Sequence, residues 1–425
     1  MTMPMVNQAE FCARKAYAVP PEIMDRAQEI IADIRSNGRQ ALENYAQKFD
    51  GWQPGSSLSY SRTDCEQALK ALPNETLELL ESMATRIRIF AERQRQIYVD
   101  FDMPTVVAGI STGIRHVPVD TVGCYAPGGR YPLVSSVLMT VIPARVAGVQ
   151  NIVLATPNPQ PIMLAAAAVA GADQVLAAGG AQAIAALAHG ADVITPCDMI
   201  VGPGNQWVAA AKQIISIERG IDFLAGPSEL MIIADKDANP AWIAADLLAQ
   251  AEHDTAAIPS LVTDSNQLAA QVQVELRAQL DTLPEPNQNT ARQALLNGAM
   301  TVVANLNEAV AIANRLAPEH LQIMTKESAQ IAAQCKNYGG IFIGAYAAEV
   351  LGDYGIGPNH TLPTGGVGRF NAGLSVGNFL KPRTYIRAEA NIHAAAYQEL
   401  SATTAALARL EGLEAHARAA QIRCD

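Results

Sequence analysis

The chain has 425 residues, of which 49% are hydrophobic and 17% are charged, and its formal net charge is −11. This is a globular composition with enough apolar residues for two or more cores. The acidic balance argues against nucleic acid as a partner, because surfaces that bind nucleic acid are basic. A small cationic substrate is easier to reconcile with it.

The N-terminal sequence lacks the basic start and apolar stretch of a signal peptide. The longest apolar run, residues 162–172, is too short to cross a bilayer, which takes about 20 residues. We therefore expect no membrane partner and a cytoplasmic location. The six cysteines form no CxxC pair, so reduced thiols are expected. Cys124 lies beside a glycine-rich turn, where either a reactive thiol or, as we favour, a buried structural thiol would fit.

Residues 1–20 show no strong pattern and are predicted to form an N-terminal arm. Two helices are predicted next. The first runs from Pro21 to Gly38, with an early proline and Asn37–Gly38 as its end. The second runs from Asn74 to about Arg95 and is capped by Asn74.

From about Arg115 the pattern alternates between short apolar runs, glycine turns and alanine-rich helices. This alternation predicts parallel sheets covered by helices, hence two α/β units with a cleft between them. We assign residues 21–124 and 230–374 to one unit and residues 125–229 to the other. Beyond residue 374 the pattern is helical, so residues 375–425 are predicted to form a C-terminal tail. The predicted strands are 117–125, 151–155, 174–177, 199–201, 230–233, 259–262, 301–303, 320–324 and 340–343.

Four glycine-rich turns are predicted to follow strands: residues 126–129, 178–182, 201–205 and 225–229. Glycines there let backbone amides approach a polar ligand. Ordinary turn glycines of an α/β fold explain any one of them equally well. Neither a GxGxxG nor a GxxxxGK[ST] motif is present, so the turns alone do not identify a nucleotide.

The stretch LAPEHLQI (316–323) places Glu319 and His320 where a helix meets a buried strand, because Pro318 disfavours helix in the preceding residue. A carboxylate beside an imidazole supplies two proton acceptors of different basicity. An incidental Glu–His pair at a loop edge also fits the local sequence.

Three further stretches carry possible metal ligands. Gln250 and His253 lie one helical turn apart, although a solvated helix end would look the same. Asp353 and His360 lie in a loop rich in Gly and Pro, where placed polar residues are often functional. Glu411 and His416 lie on a helix near the C-terminus. A metal-dependent binding protein without catalysis remains an alternative, since fold does not fix function.

Taken together, these stretches resemble the histidinol dehydrogenase family over about residues 21–422. The motifs that carry the resemblance are GCYAPGG (123–129), GGAQAIAAL (179–187), VGPGN (201–205), AGPSE (225–229), QAEH (250–253), APEHL (317–321), GDYGIGPNHTLPTGG (352–366) and EGLEAHARAA (411–420). The resemblance implies oxidation of L-histidinol through L-histidinal to L-histidine, the last step of histidine biosynthesis, with NAD as hydride acceptor. It also implies two Rossmann-like units, one zinc ion per active site, and a homodimer whose helical appendages are exchanged, so that the partner chain completes each site.

The resemblance also assigns roles to individual residues. It implies that Glu319 and His320 are the catalytic pair. The implied zinc ligands, which also contact substrate, are Gln250, His253, Asp353 and His416. The other implied substrate contacts are Ser228, His320 and Glu411, and the implied NAD contacts are Tyr125, Gln182 and Asn205. Related dehydrogenases that act on other alcohols, such as sulfonated diols, share much of this pattern; the presence of Ser228 and Glu411 favours histidinol.

Overall fold

The structure is a computed structural model that describes residues 3–13, 19–105, 107–128, 132–389 and 394–424. The chain divides into two compact units. The first comprises Met1–Gln94 and Val119–Phe379, and the second comprises Arg95–Pro118 and Leu380–Asp425. Within the described residues, no helix has the length and apolar character needed to cross a membrane.

The α-helices of the described residues are α1 (Gln8–Cys12), α2 (Pro21–Phe49), α3 (Arg62–Lys70), α4 (Asn74–Arg95), α5 (Val134–Ala147), α6 (Pro161–Ala170), α7 (Gly180–His189), α8 (Gln206–Ile215), α9 (Pro240–His253), α10 (Asn266–Leu280), α11 (Asn287–Ala294), α12 (Leu306–Leu316), α13 (Ser328–Ala332), α14 (Val350–Asp353), α15 (Ala394–Leu410) and α16 (Glu414–Gln421). The strands are β1 (Ser59–Ser61), β2 (Phe101–Pro104), β3 (Ile110–Pro118), β4 (Thr121–Tyr125), β5 (Asn151–Ala155), β6 (Gln174–Leu176), β7 (Met199–Val201), β8 (Gly220–Ile221), β9 (Glu229–Ala234), β10 (Ile258–Thr263), β11 (Ala299–Val302), β12 (His320–Met324), β13 (Gly340–Ile343) and β14 (Leu380–Ala388).

The first unit contains a six-stranded sheet in the order β1-β6-β5-β4-β7-β8. All its neighbours are parallel except β1, which pairs antiparallel with β6. Because these helices are rich in alanine, their backbones lie close to the sheet. A Cβ at Gly123 in β4 would lie only 2.9 Å from the Leu187 side chain of α7. Helix α2 packs on this sheet, since Ile30, Ile34 and Leu42 join its core.

The first unit also contains a five-stranded, all-parallel sheet in the order β11-β10-β9-β12-β13. Its central strands β9 and β12 are buried along almost their whole length, as expected of parallel strands covered on both faces. His320 begins β12 and pairs with Leu230 on one side and Gly340 on the other. The prediction of two parallel-sheet units is confirmed.

The N-terminal part of the chain differs from our expectation in three respects. Helix α2 does not end at Gly38 but kinks there, with a positive φ of 51°, and continues to Phe49. The arm is partly ordered: Phe11 of α1 is fully buried, and Met5 pairs with Met300. The predicted division placed residues 21–124 with the unit of the metal residues, whereas α2 packs on the six-stranded sheet, because its apolar face matches α7.

The second unit is a three-stranded antiparallel sheet, β14-β3-β2, together with α15 and α16. The sequence pattern predicted only helix beyond residue 374, so β14 was missed. Most residues of β14 are exposed, so the strand lacks the alternation of buried apolar and exposed polar residues that predicts a strand from sequence. The helical part of the tail consists of two helices, α15 and α16, and Gly412 between them has a φ of 76°.

Candidate active site

Glu319 and His320 lie where α12 leads into the centre of the five-stranded sheet. Helix α12 ends at Leu316, and Ala317 closes it in the left-handed conformation, with a φ of 50°. Pro318 cannot extend the helix, so the chain turns directly into β12. Glu319 and His320 are both buried, and the structure therefore confirms the predicted junction of helix and strand.

Backbone contacts fix the orientation of both side chains. The Glu229 amide donates to Glu319 Oε2 at 2.8 Å. His320 Nδ1 lies 3.0 Å from the Glu229 carbonyl oxygen and 3.6 Å from Glu319 Oε2. Because a carbonyl oxygen only accepts, Nδ1 carries the hydrogen, which leaves Nε2 of the neutral ring as the proton acceptor.

Burial also makes the Glu319 carboxylate more basic. It raises the pKa of Glu319 to about 8, although hydrogen bonds from the Glu229 amide and the Ser228 side chain act in the opposite direction. A carboxylate with this pKa is a better proton acceptor near neutral pH than an exposed glutamate. Ser228 of the AGPSE turn therefore contacts Glu319.

Glu349 was not identified from the sequence. Its Oε1 lies 3.4 Å from His320 Nε2, and it is 1% exposed, with neither carboxylate oxygen hydrogen-bonded within the described residues. Burial raises its pKa to about 7. The available signal was its position four residues before Asp353, which places both on one face of a helical turn. We expected an irregular loop from Leu351 onward, but α14 forms that turn.

The predicted metal ligands come from α9 and α14. His253 Nε2 lies 3.3 Å from Asp353 Oδ2, and this contact raises the pKa of His253 to about 9. Burial opposes ionisation of Asp353, but hydrogen bonds from His253 and His360 outweigh it and lower the pKa of that carboxyl. His360 is in turn 3.3 Å, through Nε2, from the hydroxyl of Ser136 in α5.

Gln250 provides the test of whether a metal ion fits this site. Its side chain is fully buried, yet neither its amide oxygen nor its amide nitrogen has a hydrogen-bond partner in the described part of the chain. A buried polar group without a partner is costly, so a ligand is expected to complete it. His320, Glu349 and Asp353 also bring possible ligand atoms within 4.8 Å of one another, although this cluster shares only Asp353 with the predicted ligands. Nitrogen and oxygen donors of this kind suit zinc.

The predicted NAD contacts lie at the carboxyl ends of three parallel strands of the six-stranded sheet. Tyr125 ends β4, and its hydroxyl accepts from the Gly180 amide at 3.2 Å. Gln182 lies in the first turn of α7 and is buried. Asn205 caps α8, accepting from the amides of Trp207 and Val208. Three of the four glycine turns thus lie at this edge, whereas the turn at 225–229 leads into β9 instead. Gly129 lies outside the described residues.

Two predicted site residues lie in the second unit, Glu411 between α15 and α16 and His416 within α16, and both are exposed. Their part in the site stays a prediction.

Cys124 is fully buried, and burial raises the pKa of its thiol to about 12. The prediction of an unreactive structural thiol is therefore confirmed.

Comparison with known proteins identifies the family. The histidinol dehydrogenase family model matches residues 13–424. Histidinol dehydrogenase from Halalkalibacterium halodurans is 44% identical over 402 residues, covering 93% of this chain and 92% of that protein. The enzyme of the same name from Bradyrhizobium diazoefficiens is 41% identical over 422 residues, covering 98% and 96%. The crystal structure of histidinol dehydrogenase from Elizabethkingia anophelis superposes with a TM-score of 0.90 at 32% identity, covering 99% of this chain and 98% of that one.

The fold, the buried Glu–His pair and this likeness define an NAD-dependent dehydrogenase with a zinc site. The chain belongs to the histidinol dehydrogenase family and accordingly oxidises histidinol in histidine biosynthesis.

Proposed function

We propose that Glu319 and His320 carry the proton transfers in the oxidation of L-histidinol through L-histidinal to L-histidine. The observation that carries this proposal is the pair itself: two buried proton acceptors, held by one backbone segment, 3.6 Å apart. A four-electron oxidation of an alcohol must remove protons in both steps and activate water between them. An imidazole to remove protons from the substrate and a carboxylate to activate water meet that requirement.

The zinc site consists of Gln250, His253 and Asp353, together with His416. When bound, zinc orients the imidazole and amino nitrogens of the substrate, and two successive NAD molecules accept the two hydrides. Gln250 fits this role because its amide has no other partner. His253 and Asp353 support it because they already face each other at 3.3 Å.

In the first oxidation, His320 Nε2 removes the alcohol proton as the hydride leaves, which yields the aldehyde. Glu319 then removes a proton from water, and the resulting hydroxide adds to the aldehyde carbon. Once Glu319 and His320 have released these protons to solvent, His320 removes a hydroxyl proton of the hydrate as the second hydride leaves. The carboxylic acid that forms then ionises to the carboxylate. The imidazole keeps its orientation throughout because Nδ1 donates to the Glu229 carbonyl oxygen. Ser228 and Glu411 bind the polar groups of the substrate, and Tyr125, Gln182 and Asn205 contact NAD.

A substrate panel tests this function. We expect NADH formation with L-histidinol and with L-histidinal, and little with sulfonated diols or simple alcohols. A preference for another alcohol would contradict the assignment.

The six cysteines are free, as expected in a reducing compartment, and we propose that the enzyme works in the cytoplasm.

We further propose that the enzyme is a homodimer in which the tail of one chain completes the active site of the other. The second unit presents large apolar side chains to solvent: Ile97 is 75% exposed, Ile386 79% and Leu410 84%. Apolar surface of this extent marks a site of association. Exchange of such an element between identical chains is a low-cost route to a dimer.

A mixed dimer of one His320→Asn chain and one His416→Ala chain tests the exchange. If His416 acts in the partner's site, one site receives both defects and the other receives neither. Two inactive homodimers then give an active heterodimer with one working site. The two chains carry different tags, and mass spectrometry verifies the dimer. No recovery of NADH formation would contradict the exchanged tail.

A further inference from the structure

Asp50 reaches from the end of α2 into the glycine turn that precedes α7. Its Oδ2 accepts from the Gly179 amide at 3.0 Å and from Gln182 Nε2 at 3.1 Å. Because α2 and α7 share one apolar core, the carboxylate is held in place by packing. Asp50 therefore determines which way the Gln182 amide faces: its nitrogen is directed to Asp50, and its oxygen is left for another partner.

Two acceptor oxygens remain at this turn. Within the described residues, no donor reaches Asp50 Oδ1 or Gln182 Oε1. Both oxygens lie against bare backbone: a Cβ at Gly179 would be 2.8 Å from Asp50 Oδ1, and one at Gly180 would be 3.1 Å from Gln182 Oε1. Gly180 also has a φ of 56°, which favours glycine. A side chain at either glycine would therefore crowd these oxygens; the Pro157 ring borders the Gly179 side, where a Cβ would lie 2.8 Å from Pro157 Cβ.

The turn suits a hydroxyl pair and not a phosphate. The helix N-terminus would ordinarily offer amides to an anion, but Asp50 already binds the Gly179 amide, and the Tyr125 hydroxyl binds the Gly180 amide. What remains is two acceptors, one of them a carboxylate. A vicinal diol donates two hydrogen bonds to such a pair, whereas a phosphate has no hydrogen to donate and is repelled by the carboxylate.

The position of the turn indicates which ribose of the cofactor it meets. Strand β6 is separated from β4 by β5, a lateral distance of about 10 Å. The metal-site loop contacts the helix that follows β4, through His360 and Ser136. The nicotinamide must lie towards that loop, so the turn after β6 lies on the side of the adenosine ribose.

We propose that Asp50 Oδ1 and Gln182 Oε1 bind the two hydroxyls of the adenosine ribose of NAD, and that Asp50 excludes the 2′-phosphate of NADP. This inference rests on the proposed cofactor role of Gln182. It adds Asp50 to the cofactor site and makes it the residue that determines the choice between the two dinucleotides.

The test compares kcat/KM for NAD and for NADP in wild type, Asp50→Asn, Asp50→Ala and Gln182→Ala. We expect wild type to prefer NAD. Asp50→Asn should lower the ratio of kcat/KM for NAD to that for NADP about 10-fold, because it removes the charge that repels the 2′-phosphate, while its one oxygen can still accept from the Gly179 amide. Asp173→Asn is the matched control. Asp173 also binds a backbone amide, that of Ile152, and an arginine, Arg145, but it precedes β6 at the opposite edge of the sheet. The ratio of kcat/KM for NAD to that for NADP should therefore be the same in Asp173→Asn as in wild type.

A second arm uses 2′-deoxy-NAD. Wild type should lose about 10-fold in kcat/KM relative to NAD, and Asp50→Ala should show little further loss with the analogue, because the acceptor is already gone. General damage to the fold lowers all values together and leaves both ratios unchanged. An NAD-to-NADP ratio that is the same in wild type and Asp50→Asn would overturn the proposal.

Binding of NADH and NADPH, followed by fluorescence, repeats the comparison without turnover. If wild type does not oxidise histidinol, the proposed function fails while the binding ratios still decide the role of Asp50. If wild type binds both dinucleotides equally, the role of Asp50 fails and the proposed function stands.

Discussion

The two sheets of the first unit differ in how the side chains of the proposed sites are hydrogen-bonded. At the five-stranded sheet, Gln250 and Glu349 are buried with unpartnered polar atoms. At the six-stranded sheet, Tyr125, Asn205 and Asp50 all bind backbone amides. Unpartnered buried groups are costly unless a ligand completes them. The first site is therefore suited to a resident metal ion and a tightly held intermediate, and the second to a cofactor that must leave and be replaced between two oxidations.

Removing the catalytic imidazole should give the largest effect. We expect His320→Asn to lower the rates of both half-reactions by about 10²–10⁴, because the imidazole is the proposed acceptor of the alcohol proton. Histidinol and histidinal are assayed separately by NADH formation. Zinc content should stay at the wild-type level, which distinguishes the loss of the proton acceptor from loss of the metal.

Glu319→Gln should separate the two half-reactions. The carboxylate is needed only once the aldehyde has formed, so oxidation of histidinol to histidinal should retain more of its rate than oxidation of histidinal to histidine. The amide keeps the size of the side chain and can still accept from the Glu229 amide. Equal losses in both half-reactions would count against this division of roles.

The next largest effect is expected from removing a zinc ligand, which should lower activity at least about 10–100-fold. We expect His253→Ala to bind less zinc and to lose activity in proportion, as measured by metal analysis and NADH formation on the same samples. Exhaustive chelation of wild type should have the same effect, reversed by added zinc. Full activity of His253→Ala after chelation would remove His253 from the metal site.

The six-stranded sheet should respond in stability more than in chemistry. Lys212 and Asp222 form a buried ion pair beside the turn at 201–205, and Asp222 also accepts from the Gly202 amide at 2.7 Å. Lys212→Met leaves that carboxylate buried without its charge partner, which should cost about 3–5 kcal/mol in the free energy of unfolding. Denaturant unfolding measures this loss. Replacing both residues by apolar ones should cost less, and an equal or larger loss in the double variant would contradict the reasoning.

The dependence on pH should be the smallest effect. Burial raises the pKa of Glu319 to about 8, and only the ionised carboxylate accepts a proton from water. The rate of histidinal oxidation should therefore rise with pH from 6, reach half its maximum near pH 8 and level off above about pH 9, with about a tenth of the carboxylate ionised at pH 7. Glu319→Gln should lose this dependence. A rate that falls over the same range would show that another group controls the step.

Local sequence signals predicted much of this arrangement. Pro318 and the apolar run after it located the catalytic junction, and β12 and β13 begin and end where the pattern indicated. Glycine turns indicated the edge of the six-stranded sheet. These features depend on residues close together in the chain.

Other features depend on contacts between distant segments, which no local period encodes. The packing of α2 on the six-stranded sheet brings Asp50 to Gln182, 132 residues away. Glu349 becomes notable only because the sheet places it against His320. Strand β14 was missed because its partner β3 lies more than 260 residues earlier and its own residues are mostly exposed.

The most direct test of the account is the number of NADH molecules formed for each L-histidinol consumed by the zinc-loaded enzyme. With Glu319 and His320 acting in succession, the account predicts two NADH, with L-histidine as product and no free aldehyde detected by a trapping reagent. Glu319→Gln should bring the ratio towards one and release aldehyde. A wild-type ratio of one, with L-histidinal as the end product, would contradict the proposed roles of the pair.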